Sequence, residues 1–455
     1  MEYANNDFVL DTKRDFFRTV IRIGAPVVIQ SVIGSFVNLL SVFMVGQLGE
    51  VAITAAAMGN QWFLLYSLLA NGIMAAGSIF VAQYWGKKDT KSIHQYIGIM
   101  LIGVCILATV FTVFAVVMPH RIISFYSKDA KVIAEGSTYI RIIGISYLMC
   151  AISGTFATSL RSIGNTRVPM YATFAALFSN LILSYVLIFG HFGAPALGVL
   201  GAAVSTVIAR FIELLVVLSY YQWKKPPIYA NITAYFRINI AVIRRYFRYG
   251  FFIILGEVTY AIGNNLYNVA YKYTGTEAQA ALQITNTFSN LAMVYCGGVA
   301  TAAAVILGYL LGNNRFEEAK LCCRRLLWMA FIMSSVVGAI LALIAPVLLS
   351  FFQVGDNTYH YVRIMIYILC AGIPLRTIVF LIIVGVLRSG GDSTYCFFAN
   401  LIGVWGIGIP LIFIGAVYLE LPIYIVYLLA LMEELGKFII CFPRVMKYKW
   451  IRNIT

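Results

Sequence analysis

The chain has 455 residues, of which 61% are hydrophobic and 11% are charged. Soluble globular proteins carry about 25% charged residues, so the composition excludes that class and indicates an integral membrane protein. The formal net charge of +15 does not indicate a nucleic-acid partner, because the Lys and Arg residues are distributed by membrane side and not gathered into a basic domain.

Twelve apolar runs are long enough to cross a bilayer, which takes roughly 20 residues in a helix. The first six spans are predicted at residues 19–45, 51–80, 92–117, 134–158, 168–190 and 197–220. The second six are predicted at residues 248–271, 278–310, 325–350, 361–386, 395–416 and 421–442. The predicted fold class is therefore an all-α integral membrane protein with 12 transmembrane helices.

The positive residues also predict the orientation. Most Lys and Arg residues lie in the N-terminus, the even-numbered connections and the C-terminus, and positive residues concentrate on the cytoplasmic side. The expected protein is a multi-pass protein of the cell (inner) membrane with both termini in the cytoplasm.

The sequence contains an internal repeat. The segment 160–166, Leu-Arg-Ser-Ile-Gly-Asn-Thr, returns 227 positions later as Leu-Arg-Ser-Gly-Gly-Asp-Ser. Four further pairs keep an offset of 226: Gly24 and Gly250, Asn38 and Asn264, Asn60 and Asn286, Gly86 and Gly312. Each copy holds six spans, so the repeats are parallel. Two pseudo-symmetric six-helix lobes around a central cavity are predicted.

The predicted boundaries are an N-terminal lobe at residues 1–222, a cytoplasmic linker at 223–246 and a C-terminal lobe at 247–455. The segment 235–249 interleaves Phe, Ile and Tyr with four arginines. This pattern fits an interfacial amphipathic helix and a solvated linker equally well.

Glu257 is the strongest candidate for ion coupling, because an ionisable group inside the bilayer costs about 2.5 to 3.5 kcal/mol and needs a compensating role. Polar side chains follow it at helical spacing on the same span and face a polar stripe on the next. The predicted cation site consists of Glu257, Asn264, Asn268, Gln283 and Asn286. These oxygens suit Na⁺, or Glu257 holds a proton. The alternative is that Glu257 is a hydrogen-bonded link between helices.

Other charges within the spans have simpler interpretations. Arg210 with Glu213, and Glu433 with Lys437, have the spacing of local ion pairs. Arg376 has no acid within its own span. It either pairs with Glu257 in one conformational state, contacts an anionic group or extends towards water.

The substrate is predicted only by class. The chain has 29 Tyr and 31 Phe residues, and aromatic faces attract flat apolar cations, although aromatic side chains also face lipid. The predicted cavity residues are Asn38, Asn60, Asn180, Tyr260, Tyr267, Tyr295 and Arg376.

The two Leu-Arg-Ser segments are predicted to form tight turns, since Gly164 and Gly391 permit backbone angles that other residues resist. Arg161 and Arg388 are assigned structural or gating roles there, and not substrate binding.

The chain resembles the multidrug and toxic compound extrusion (MATE) family, including its bacterial NorM-like and DinF-like members. The residues that carry the resemblance are Pro26, the segments 45–49 and 83–86, the two Leu-Arg-Ser segments and Glu257. The resemblance implies a V-shaped pair of lobes that exports organic, often cationic compounds in exchange for Na⁺ or H⁺. It also implies a structural or gating role for Pro26, a monomer, and no cofactor besides the coupling ion.

Three positions depart from the family pattern. Many members carry acids where this chain has Ser41, Ser184 and Thr377. Coupling is therefore expected in the second lobe, through Glu257. The alternatives are a flippase for lipid-linked sugars and a non-transporting membrane receptor or scaffold.

Overall fold

The computed structural model describes residues 12–349 and 355–455, and all regular structure within them is helical. The helices of the first half are α1 Lys13–Gly46, α2 Glu50–Gly86, α3 Thr90–Val117, α4 Pro119–Tyr126, α5 Ala130–Ile143, α6 Ser146–Ser162, α7 Arg167–Phe189, α8 Val199–Lys224 and α9 Ile232–Phe236.

The helices of the second half are α10 Ile240–Tyr271, α11 Thr276–Gly312, α12 Phe316–Leu349, α13 Asp356–Phe380, α14 Ser393–Leu401, α15 Ile409–Phe413 and α16 Ile423–Met446. Three π-helical segments, Leu381–Leu387, Ile402–Gly408 and Ile414–Tyr418, interrupt the α-helical pattern after α13, α14 and α15. Such segments are rare and frequently occur at functional sites.

The predicted fold class, all-α with twelve membrane spans, is confirmed. Among the described residues, nine helical stretches are long and apolar enough to cross a bilayer alone, and α5 with α6 forms a tenth span bent by 44°. The other two spans, α10 and α16, are also long but carry more charge, including Glu257, Glu433 and Lys437.

The span predicted as one helix at residues 134–158 is bent because the backbone at Gly144 is diverted. The Thr112 hydroxyl of α3 donates a hydrogen bond of 2.8 Å to the Gly144 carbonyl oxygen. A side chain that bonds a helix carbonyl from outside is an ordinary cause of a kink. The helix of the seventh predicted span, residues 248–271, extends further towards the N-terminus, because α10 begins at Ile240.

The chain forms two compact units. Within the described residues, the first comprises Ile29–Val81 and Lys88–Gly250, and the second comprises residues 12–28, Ala82–Lys87, 251–349 and 355–455. Helices α1 and α2, with 34 and 37 residues, each contribute to both units.

The linker packs inside the first unit. The Tyr235 side chain of α9 is 4% exposed, and its hydroxyl donates a hydrogen bond of 2.9 Å to the Ile228 carbonyl oxygen. Burial raises the pKa of Tyr235 to about 12, so the phenol stays a neutral donor. Gln95 of α3 donates to the Arg237 carbonyl oxygen at 2.9 Å. Tyr235 and the Arg237 carbonyl group therefore anchor the start of the segment 235–249 within the first unit, while Arg244, Arg245 and Arg248 are exposed. The choice between an interfacial helix and a solvated linker stays a prediction.

The two Leu-Arg-Ser turns have the same backbone geometry. The φ angle is +86° at Gly164 and +74° at Gly391, and each glycine amide donates to the carbonyl oxygen three residues before it at 2.9 Å. The next amide, of Asn165 or Asp392, donates to the carbonyl oxygen five residues back. This pair of bonds is the Schellman motif that ends helices at a left-handed glycine, so the turn prediction is confirmed in both repeats.

Within the second unit, Gly86 and Gly312 bring α2 and α11 into backbone contact. A Cβ atom at Gly312 would overlap the Gln83 carbonyl oxygen, and one at Gly86 would overlap the Tyr309 carbonyl oxygen. Small residues permit such close helix approach in membranes. The two matched glycines of the repeat therefore serve one contact.

Replacing Gly312 by Ala is expected to lower the free energy of unfolding by about 1 to 3 kcal/mol, because the methyl group forces two backbones apart. Gly297 of the same helix is the matched control, since a Cβ atom there meets no heavy atom within 4 Å. Thermal unfolding in detergent measures both variants. Equal unfolding temperatures for the Gly312→Ala and Gly297→Ala proteins would contradict the contact.

Candidate functional site

The second unit contains a cavity with a volume of ≈ 260 Å³, called here the Glu257 cavity. Its wall combines apolar side chains with side chains of both charges from α10, α11, α13, α14 and α16. The polar and charged residues that line it are Glu257, Tyr260, Ser289, Asn290, Arg376, Arg388, Asn400, Glu434 and Lys437.

Glu257 forms an ion pair with Arg388. The Arg388 Nη1 atom donates to the Glu257 Oε1 atom at 3.1 Å, and the side chains of Arg388 and Glu257 are 12% and 28% exposed. The π-helical segment Leu381–Leu387 precedes Arg388, whose amide donates to the Ile383 carbonyl oxygen five residues back. A cation that binds Glu257 therefore competes with the Arg388 guanidinium.

Arg376 and Arg388 both line the Glu257 cavity. The structural or gating role predicted for Arg388 at its turn stays a prediction, and its side chain also reaches the cavity wall. Arg376 does not contact Glu257 in this structure, since its Nη1 atom donates to the Ser289 hydroxyl at 2.9 Å. The arginines are twelve residues apart, roughly 18 Å along a helix, and Arg388 is the one whose guanidinium reaches the Glu257 carboxylate.

A smaller cavity of ≈ 120 Å³, called the Tyr267 cavity, shares part of this wall. The two cavities have Tyr260, Arg376 and Glu434 in common. The remaining polar and charged residues of the Tyr267 cavity are Asn264, Tyr267, Asn268, Tyr271, Asn286, Tyr427 and Glu433.

The predicted polar stripes on α10 and α11 face common space in part. Asn264, Asn268 and Asn286 line the Tyr267 cavity. Gln283, also predicted for the cation site, lies outside both cavities and is exposed. Glu257 and the three asparagines line different cavities, which share Tyr260, Arg376 and Glu434.

The predicted pair of Glu433 with Lys437 is confirmed, and the structure extends it. Lys437 contacts Glu433 and also Glu434, the latter at 3.5 Å, while the Tyr267 hydroxyl donates to Glu433. The π-helical segment Ile402–Gly408 makes room for this cluster at its glycines. A Cβ atom at Gly403 would lie 2.5 Å from Lys437 Cγ.

The first unit holds a related network. Arg161 Nη2 donates to Gln30 Oε1 at 3.5 Å, and Gln30 donates to the Thr173 hydroxyl at 2.7 Å. Thr173 donates to Glu213, which also forms the predicted pair with Arg210 at 2.8 Å. The local pair is therefore confirmed, and it belongs to a larger network that spacing alone did not reveal.

The Leu-Arg-Ser arginines of both units contact an oxygen on the first helix of their repeat. At the 226-residue offset of these two helices, the position equivalent to Glu257 is Ser31, the neighbour of Gln30. The first unit thus places a neutral amide against its arginine, whereas the second places a carboxylate there.

The other predicted cavity residues lie outside the two cavities. Asn60 accepts a hydrogen bond of 3.3 Å from Tyr139, and Asn180 donates to Thr206 at 3.2 Å. Tyr295 bonds to Thr377 at 2.8 Å, whereas Asn38 is exposed. Pro26 lies inside α1. The roles predicted for these residues stay predictions.

The described part of the chain has no group of three or more His, Cys, Asp or Glu side chains that could hold a metal ion. The groups of the Glu257 cavity that suit a cation are two carboxylates, Glu257 and Glu434, with neutral oxygens of Tyr, Ser and Asn nearby. Such oxygens suit a hard monovalent cation, and a carboxylate alone suits a proton.

Known proteins resemble the chain along most of its length. The profile of the MatE family matches residues 26–186 and 253–414. The probable multidrug resistance protein YoeA of Bacillus subtilis is 23% identical, covering 90% of this chain and 89% of its own. The probable multidrug resistance protein NorM of Bacillus licheniformis is 24% identical, covering 89% and 90%.

A solved structure shares the fold. The Vibrio cholerae MATE transporter VcmN in the bent form has a TM-score of 0.86 at 15% identity, covering 96% of this chain and 99% of that one. At this sequence identity, the similarity establishes the fold but not the chemistry of the site.

Proposed function

Because this chain belongs to the MatE family of membrane transporters, we propose that it is a secondary active antiporter. The cargo is an amphipathic organic compound with a cationic group, and the counter-ion is Na⁺ or H⁺. The protein itself is a multi-pass membrane transporter and not an enzyme. The multidrug resistance names of its relatives support export as the direction of transport.

The observation that carries this proposal is the ion pair between Glu257 and Arg388 at the wall of a cavity. Na⁺ or a proton at Glu257 neutralises the carboxylate and releases Arg388, while removal of the cation restores the pair. The Glu257 carboxylate is compensated in both states, by Arg388 in one and by the cation in the other. The cation thus has a different affinity for the paired and unpaired arrangements, which is the condition for coupling to a conformational change.

The first unit supports placing this coupling in the second. Its corresponding arginine, Arg161, meets the neutral Gln30, and an amide does not titrate between pH 5 and 9. The carboxylate of Glu213 is held by Arg210 and Thr173. Ion binding at Glu257, in the second unit, then drives the alternating exposure of the substrate to the two sides of the membrane. A monomer in the cell membrane with cytoplasmic termini completes the proposal.

Efflux from proteoliposomes tests the proposed function. Vesicles that contain the purified protein and the fluorescent cation ethidium receive either an inward Na⁺ gradient, an inward proton gradient or no gradient. One gradient is expected to accelerate ethidium release several-fold, since 100 mV supplies about 2.3 kcal/mol per charge. Identical release under all three conditions would contradict antiport.

A further inference from the structure

We propose that Arg376 and Glu434 form a two-point subsite for zwitterionic compounds, with an oxyanion held by Arg376 and an ammonium-type group held by Glu434. The inference rests on the proposed transport function and narrows its substrate class. It makes Arg376 the residue that determines whether a carboxylate-bearing compound is accepted.

Arg376 has unused hydrogen-bonding capacity. A guanidinium has five N–H donors in a planar fork that matches a carboxylate. In the described part of the chain, its recorded bond is the one from Nη1 to the Ser289 hydroxyl, and no carboxylate lies within ion-pair distance. The residue lines both the Glu257 cavity and the Tyr267 cavity. A cation with open donors at the wall of a cavity suits an anionic ligand group.

Glu434 is the acidic counterpart. Its side chain is 18% exposed and has one ion-pair contact in the described residues, with Lys437 at 3.5 Å. Lys437 is closer to Glu433, so it only partly neutralises Glu434. Glu434 also lines both cavities.

The remaining charges on these walls have close partners. Glu257 is paired with Arg388, and Glu433 is paired with Lys437 and receives the Tyr267 hydroxyl bond. Arg376, in contrast, has no carboxylate within ion-pair distance among the described residues, and Glu434 has only the 3.5 Å contact with Lys437. The two charges have opposite signs. A monovalent cation satisfies only Glu434, whereas a zwitterion satisfies both.

The side chains near Arg376 and Glu434 suit a ligand that has an aromatic core between two charged groups. Tyr260 lines both cavities and is 44% exposed. Met293 and Phe380 line the Glu257 cavity as well. Aromatic and thioether side chains accommodate flat apolar groups of varied shape.

Two fluorescent dyes that differ only in the carboxylate test the role of Arg376. Rhodamine 110 carries a free carboxylate beside its cationic ring system, and rhodamine 123 is its methyl ester. Binding of both dyes to the detergent-purified protein is measured by fluorescence polarisation for the wild type, Arg376→Gln, Arg376→Lys and Arg363→Gln. Arg363 is the matched control, because it is exposed on the same helix α13.

The Arg376→Gln protein is expected to lose roughly ten- to hundred-fold in rhodamine 110 affinity relative to rhodamine 123, since a hydrogen bond to a charged group contributes about 1.5 to 3 kcal/mol. Arg376→Lys should recover part of this preference, and Arg363→Gln should keep the wild-type ratio. Glu434→Gln is expected to weaken both dyes.

An unchanged ratio in Arg376→Gln, or an equal loss for both dyes, would overturn the subsite. So would a wild type that binds neither dye or rhodamine 123 alone. Ion-driven ethidium efflux tests the transport function separately, so its failure is distinguishable from that of the subsite.

Discussion

Replacing Glu257 by Gln is expected to remove the gradient-driven part of efflux while leaving the protein folded. The amide keeps the size of the carboxylate but neither takes up a proton at physiological pH nor supplies a negative charge to Na⁺. Loss of a charge-assisted contact of about 1.5 to 3 kcal/mol corresponds to a roughly ten- to hundred-fold weaker response to the gradient. The first unit already places an amide, Gln30, against the equivalent arginine, so the substitution is compatible with this local structure.

The measurement compares ethidium efflux with and without the effective gradient. Glu277→Gln is the matched control, because Glu277 lies exposed in the first turn of α11. The control should respond to the gradient as the wild type does. Wild-type coupling in a folded Glu257→Gln protein would refute the assignment of the coupling site.

Replacing Lys437 by Met is expected to have the largest effect on stability. The side chains of Lys437 and Glu433 are 5% and 7% exposed, and Glu434 lies beside them. Removing the lysine leaves two carboxylates near each other without their shared cation. Breaking a buried ion pair in this way costs about 3 to 5 kcal/mol in the free energy of unfolding.

Thermal unfolding of the detergent-purified protein checks this prediction. The double variant with Lys437→Met and Glu433→Gln should regain a large part of the lost stability, because the Gln oxygen still accepts from Tyr267 and the strongest repulsion is gone. An unchanged unfolding temperature in Lys437→Met alone would show that the cluster does not stabilise the fold. A double variant less stable than the single one would show that the charge balance is not the cause.

The fold was predictable because hydropathy and length decide which segments cross a bilayer. Spans as charged as α10 and α16 were still recognisable, since their charges fall at helical spacing within long apolar stretches. The bend between α5 and α6 was not predictable, because it depends on Thr112 of another helix. The close approach of Lys437 to Gly403 in a π-helical segment was likewise not predictable, because it depends on a contact between two helices.

The candidate site was predictable along single helices and not between them. The spacing on α10 identified Glu257, Asn264 and Asn268, because residues three or four apart share a helix face. The partner of Glu257 is Arg388, 131 residues away, and helical spacing carries no information over that distance. The place of Glu434 on the cavity wall was missed for the same reason.

The most direct test of antiport is to drive the ion with the substrate. Proteoliposomes at equal ion concentrations on both sides receive a gradient of ethidium alone, and radioactive Na⁺ flux or internal pH is followed. For the wild type we expect Na⁺ or protons to move in the direction opposite to ethidium. In Glu257→Gln vesicles we expect no such ion flux. Ethidium movement in the wild type with no opposing flux of either ion would contradict antiport.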